Sequence, residues 1–168
     1  MKKIIAFLCV MFLLTSFVAC GNDSSSKTTI GDLEKMQEKM LEAKYLCDAK
    51  VDVILDLWDK DQDDFECLFN DEHIGYSGWT REINKGREKN TQLKELMEEI
   101  SSDIKAVNPA DDAKEYYDAL KELYLCVDSY HKFVTKFPDG YSYNTFLEKI
   151  NEYTSEYDDI ESEIDLIK

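Results

Sequence analysis

The chain reads as all-α: an antiparallel up-down helical bundle behind a cleaved signal peptide and a flexible tether. Three observations predict this. Glycine and proline are scarce, 6 and 2 in 168 residues, and beyond the tether all but Gly86 stand between segments rather than within them. In those segments apolar residues recur at alternating steps of three and four, the helical template. No segment alternates apolar and polar with β-branched enrichment, as a strand would. Four helices are the simplest count; a three-helix bundle with the first helix loosely docked is the alternative.

Residues 1–19 come first. Met1-Lys2-Lys3 is a basic start, and Ile4 to Ala19 is uncharged, with only Thr15 and Ser16 polar. At 1.5 Å per residue this run reaches about 24 Å, short of a hydrocarbon core of ~30 Å. A basic start, an apolar run and a small residue before a cut are the parts of a secretory signal. Phe17-Val18-Ala19-Cys20 then resembles the lipobox of bacterial lipoproteins, with Phe17 where that family usually has Leu. The resemblance implies cleavage before Cys20. It also implies a diacylglyceryl group on the Cys20 thiol, an N-acyl chain being a further option, and a protein held at the extracytoplasmic face of the cell membrane. Two acyl chains suffice for stable attachment where one is marginal. Residues 20–30, with Gly21-Asn22-Asp23-Ser24-Ser25-Ser26, read as the tether, and residues 31–168 as the bundle domain.

The first helix is the least regular, with its stripe at Leu33, Met36, Met40, Ala43, Cys47, Val51, Ile54 and Trp58. The second runs through Ile83, Gly86, Asn90, Leu93, Met97, Ile100, Ile104 and Val107. The third follows Ala113, Tyr116, Leu120, Leu123, Val127, Tyr130, Val134 and Phe137, and the fourth Tyr143, Phe146, Ile150, Tyr153, Tyr157, Ile160, Ile164 and Ile167. Each gives a narrow apolar seam and a wide polar face. Asn108-Pro109 looks like an N-cap followed by proline at the first helical position. Ser142 looks like the N-cap of the last helix, with Tyr141 and Phe146 placed as a hydrophobic staple. Short connections after the second and third helices force antiparallel neighbours.

Charge narrows function. The formal net charge is −16, and cleavage before Cys20 removes Lys2 and Lys3 and no acid, taking it to −18. Nucleic-acid binding, which depends on Lys and Arg neutralising phosphates, is excluded. So is electrostatic adhesion to anionic lipid, which leaves the lipid anchor to hold the membrane. Cationic partners and divalent ions stay open beside a merely solvated acidic surface. Cys47, Cys67 and Cys126 are an odd number for an exported domain and form neither a C-x-x-C nor a zinc spacing.

Catalysis finds no foothold, so no enzyme activity, cofactor or metal site is expected. In Asp59 to Asn70, Asp59, Asp61 and Asp63 fit positions 1, 3 and 5 of an EF-hand loop. Asp64 stands where glycine is required and Asn70 where a bidentate Glu is required, leaving at most weak Ca²⁺ association. His73 and His131 are isolated, and Gly75 to Trp79 lacks the final glycine of a nucleophile elbow. Glu148, Glu152, Glu156 and Asp159 line one side of the fourth helix and read as a solvated face. Gly86 and Asn90, one turn apart on a seam, read as a close approach with a register-setting amide, or as a wet bundle end.

The stretches "LWDKDQDDFECLF", "NKGREKNTQLKELMEEI" and "YYDALKELYLCVDSYHKFVTKFPDGYSYNTFLEKINEY" resemble a group of small helical cell-surface lipoproteins of Gram-positive bacteria, over most of residues 45–157. The resemblance implies a helical, surface-anchored protein and carries over no catalytic residue. With the tether at the start of the first helix, the connections after the first and third helices lie together at the far end. They carry Trp58, Phe65, Phe69, His73, Tyr76, Trp79, Phe137, Tyr141 and Tyr143 among acidic residues. Trp58, Phe69, Tyr76, Trp79, Phe137, Tyr141 and Tyr143 are the candidate binding tip, since Tyr and Trp are common interface anchors. The expected function is a non-catalytic interaction module for a cationic or aromatic peptide or protein. A divalent-metal-responsive envelope protein and a structural spacer are the alternatives.

Overall fold

The computed structural model describes residues 27–58, 80–135 and 142–167. Four helices account for them: α1 (Ile30–Leu57), α2 (Thr80–Ala106), α3 (Lys114–Thr135) and α4 (Tyr143–Ile167). A 3-10 turn, Asp111–Ala113, leads into α3. The all-α bundle expected from the periodicity is the fold.

Cross-helix bonds give the directions. Lys39 Nζ on α1 reaches Glu99 at 2.6 Å and Asp103 at 2.5 Å on α2, so the start of α1 lies beside the end of α2. Tyr116 donates to Gln37 at 2.5 Å and Tyr130 to Asp48 at 2.9 Å, which makes α1 and α3 parallel. Phe133 stacks on Phe146 with centroids 5.2 Å apart, and the Cys126 thiol donates to the Tyr153 carbonyl at 3.7 Å, so α4 returns antiparallel to α3. The course is up-down-up-down.

The packing is not square. α1 and α3 form the centre, α2 lies chiefly against α1, α4 chiefly against α3, and α2 touches α3 only sparsely. The loosely docked first helix of the three-helix alternative is therefore overturned, because α1 is the central element. Its irregular pattern follows from its place: a helix between two neighbours buries more than one seam. Val53, Leu57, Gln37 and Lys50 are buried along with most of the expected stripe, of which Met36 and Trp58 are only partly buried. The expected stripes of the other helices supply most of the remaining core, including Leu93, Met97, Ile100, Tyr116, Leu120, Leu123, Val127, Tyr130, Phe146, Tyr157 and Ile164. Each large apolar side chain so buried contributes roughly 1.5–3 kcal/mol.

Helix ends explain the boundaries. Thr29 caps α1, and the Asp32 carboxylate accepts from the Thr29 amide at 3.2 Å and hydroxyl at 2.8 Å. These bonds hold the Asp32 carboxyl below the usual carboxylate range. Ser142 caps α4 as expected: its Oγ accepts from the Thr145 amide at 3.2 Å, and its carbonyl from the Phe146 amide at 2.9 Å. The expected N-cap at Asn108 is corrected, since Ala110 stands at that position. Asn108 and Pro109 instead pair with Thr28. The Thr28 amide donates to the Asn108 carbonyl at 2.7 Å, and the Ala110 amide to the Thr28 carbonyl at 3.0 Å. Proline suits this strand-like pairing because both bonds are made by its neighbours Asn108 and Ala110, so its missing N–H is not called on. Lys27 completes the clip with an ion pair to Asp111 at 2.8 Å. Residues 27–30 are thus tied to the bundle rather than to the tether in which the sequence placed them.

Candidate functional site

Trp58 ends α1 and Tyr143 begins α4, and the fold brings them together. Their ring centroids are 6.0 Å apart in an edge-on arrangement. Trp58 also packs on Phe146 at 5.1 Å, and the chain of rings continues through Phe133 and Tyr153 to Tyr130. Such contacts contribute beyond area burial because ring edges are positive and faces negative. Phe146 is fully buried and Trp58 partly so, while Tyr143 is 41% exposed. Within this cluster most of the aromatic surface closes the core, and Tyr143 presents a ring to solvent. A 28-residue helix separates Trp58 from the Thr28 clip, about 42 Å at 1.5 Å per residue. Phe69, Tyr76, Trp79, Phe137 and Tyr141 lie outside the described residues. So do Phe65, Cys67, His73, the Asp59–Asn70 calcium-like run and the Gly75–Trp79 stretch.

The sparse contact between α2 and α3 leaves a groove of about 770 Å³. Met97 and Tyr124 line it with apolar surface, Lys94, Glu98, Lys105 and Asp128 with charge, and Asn90, His131 and Thr135 with polar groups. His131 is half-buried, and its Nδ1 is buried without a hydrogen-bond partner. Burial pushes the His131 pKa down; Asp128 opposes this, and Lys132 reinforces it. Asp128 is itself engaged by Lys132 at 2.5 Å. Gly86, expected on the α2 seam, is buried there.

A second groove, of about 750 Å³, runs along the outer side of α3 and α4. From α3 it takes Glu122, Leu125, Cys126 and Ser129. From α4 come Glu152, Ser155, Glu156, Asp159, Ile160 and Glu163. Glu148, Glu152, Glu156 and Asp159 are all exposed, as a solvated face should be. The sequence did not reveal that three of them share a wall with Glu122 and Leu125. A helical wheel of α4 alone carries no information about which face of α3 lies next to it.

Three reactive groups, Cys47, Cys126 and Lys50, are buried in the core. Burial raises the Cys47 thiol pKa far above its ordinary value and that of Cys126 to about 11. A thiol so held carries little thiolate, the nucleophilic form. Cys47 and Cys126 are both free. Lys50 is fully buried, and burial with the nearby Arg87 charge lowers its pKa to about 8. Sequence reasoning missed Lys50, since a lysine beside a seam normally reads as surface. Among the described residues no group of three or more His, Cys, Asp or Glu is arranged to hold a metal ion. No described helix is long and apolar enough to cross a membrane. Comparison with family models, curated proteins and solved structures returned no match.

Proposed function

We propose that this protein is a lipid-anchored, extracytoplasmic interaction module that acts by binding and not by catalysis. Cys20 is its acylated first mature residue, and the bundle stands off the membrane on the short segment before Lys27. The partner is a cationic or aromatic peptide or protein, met at the end of the bundle remote from the anchor. The observation that carries this reading is the Trp58–Tyr143–Phe146 cluster, a helix length away from the chain's entry and with Tyr143 open to solvent. The charge of −16 supports a cationic partner, because opposite potentials steer encounter. Among the described residues, the buried thiols of Cys47 and Cys126 and the exposed carboxylates of α4 suit binding better than chemistry.

Photo-cross-linking in intact cells tests this. With a photoreactive residue at position 143, a specific adduct with one protein is expected, and the same probe at the exposed Tyr45 on the flank should give none. Adducts from position 45 without any from position 143 would contradict the reading. Calorimetric titration with Ca²⁺ discriminates the metal-responsive alternative, which requires stoichiometric uptake in physiological salt.

A further inference from the structure

The outer groove between α3 and α4 has a composition that neither a core seam nor an ordinary solvated face requires. On α3 its residues fall at Glu122, Leu125, Cys126 and Ser129, successive steps of three, one and three. On α4 they fall at Ser155, Glu156, Asp159, Ile160 and Glu163, the same rhythm. The strip borders the core seam: Cys126 is buried and Ile160 half-buried against the core, while Leu125, Ser129, Ser155, Glu156, Asp159 and Glu163 face outward. Leu125 and Ile160 supply apolar surface, and Leu125 is left 60% exposed. Ser129, Ser155 and Cys126 are small and let a neighbouring backbone approach. Carboxylates edge the stripe, and none of its lining side chains is basic. Lys149 engages Glu152, leaving Glu122, Glu156, Asp159 and Glu163 as the acidic edge.

Apolar positions flanked by charge at helical spacing are how one helix receives another. The α4 part spans Glu152 to Glu163, about 16 Å or three turns, enough for a short helix laid along the pair. We propose that this groove is the docking site of a cationic amphipathic helix from another protein. Leucine-like side chains of the partner would meet Leu125 and Ile160, with Lys or Arg facing the carboxylate edge. Charge decides the occupant: a second copy of this chain would bring its own excess of acid against the groove. The proposal rests on the binding-module reading and adds a partner class and a surface distinct from the Trp58–Tyr143 end.

The test uses the full mature chain and a labelled synthetic peptide of about two heptads, Leu at the seam and Lys at the flanks. A scrambled peptide of identical composition is the control, and binding is followed by fluorescence anisotropy at physiological ionic strength. Leu125→Ser and a paired Glu156→Gln, Asp159→Asn variant alter exposed side chains, so circular dichroism should be unchanged. The expected result is affinity about tenfold lower for the scrambled peptide and for each groove variant, and unchanged affinity for Tyr45→Ser on the exposed flank. Equal binding of both peptides would mean bulk charge attraction and overturn the proposal. So would unchanged affinity in the groove variants, no binding at all, or a change of oligomeric state on Leu125→Ser. Affinity lost in Tyr143→Ala but kept in the groove variants would move the peptide to the distal end, defeating this proposal and leaving the proposed function intact. Groove dependence without a cross-link from position 143 would defeat only the distal-end reading.

Discussion

Tyr116 and Tyr130 are apolar seam positions that also bond their hydroxyls to α1, to Gln37 and Asp48. Removing a buried donor strands its acceptor, which costs more than an average hydrogen bond contributes. Tyr116→Phe should therefore lower unfolding free energy by about 1–3 kcal/mol. Tyr45→Phe, on an exposed ring, should leave it nearly unchanged, both read by urea denaturation. Lys50 makes a prediction in pH. Its folded pKa of about 8 lies below lysine's ordinary value of 10.5, so between these values the unfolded chain holds a proton that the folded one has released. Stability conferred at this site thus rises as pH increases through that window. The difference in unfolding free energy between the native protein and Lys50→Met should shift in favour of the native protein from pH 8 to 10.5. A difference flat with pH would contradict the lowered pKa. Taking a difference is necessary because the raised Cys126 thiol opposes the trend above pH 9. The seam tyrosines were legible in the sequence, and Lys50 was not. Periodicity reports which residues face one neighbour, and Lys50 became buried because α1 has more than one.

At the scale of elements, the four helices and the Ser142 cap were legible because the deciding physics is local. A 3-4 apolar repeat selects helix, and a serine oxygen three residues before an amide satisfies it. Ser142→Ala should cost about 1 kcal/mol and Ser142→Asp little, measured by thermal unfolding. The start of α3 was misread because Asn108 and Pro109 had a competitor 80 residues away. Thr28 takes the Asn108 carbonyl, and its hydroxyl accepts from the Asn108 amide at 3.2 Å. Local cap chemistry cannot register a partner so remote in sequence. Thr28→Pro removes the amide that donates to Asn108, and should increase proteolytic nicking near the start of α1 while leaving helicity of the bundle intact. The same limit explains the grooves: each helix face was visible in the sequence, but the pairing of faces was not.

For the whole molecule, the flattened arrangement leaves α1 and α3 central, with the α2–α3 groove mixed in charge and the α3–α4 groove acidic. A net charge of −16 presses outward on this compact unit. Added salt screens that repulsion over a Debye length of about 10 Å at 0.1 M. The melting temperature should rise between low salt and physiological ionic strength, against the usual weakening of surface ion pairs such as Lys27–Asp111. The direction assigned to the bundle depends on Cys20, since the clip at Thr28 is proximal and Tyr143 distal only if the chain is held before residue 27. Intact-mass spectrometry of the protein extracted with detergent from its own cells tests this most directly. The expected result is a mature chain beginning at Cys20 with a mass increment of a diacylglyceryl group, with or without a further acyl chain. A mature chain that begins elsewhere, or that carries Cys20 with no added lipid mass, would contradict it.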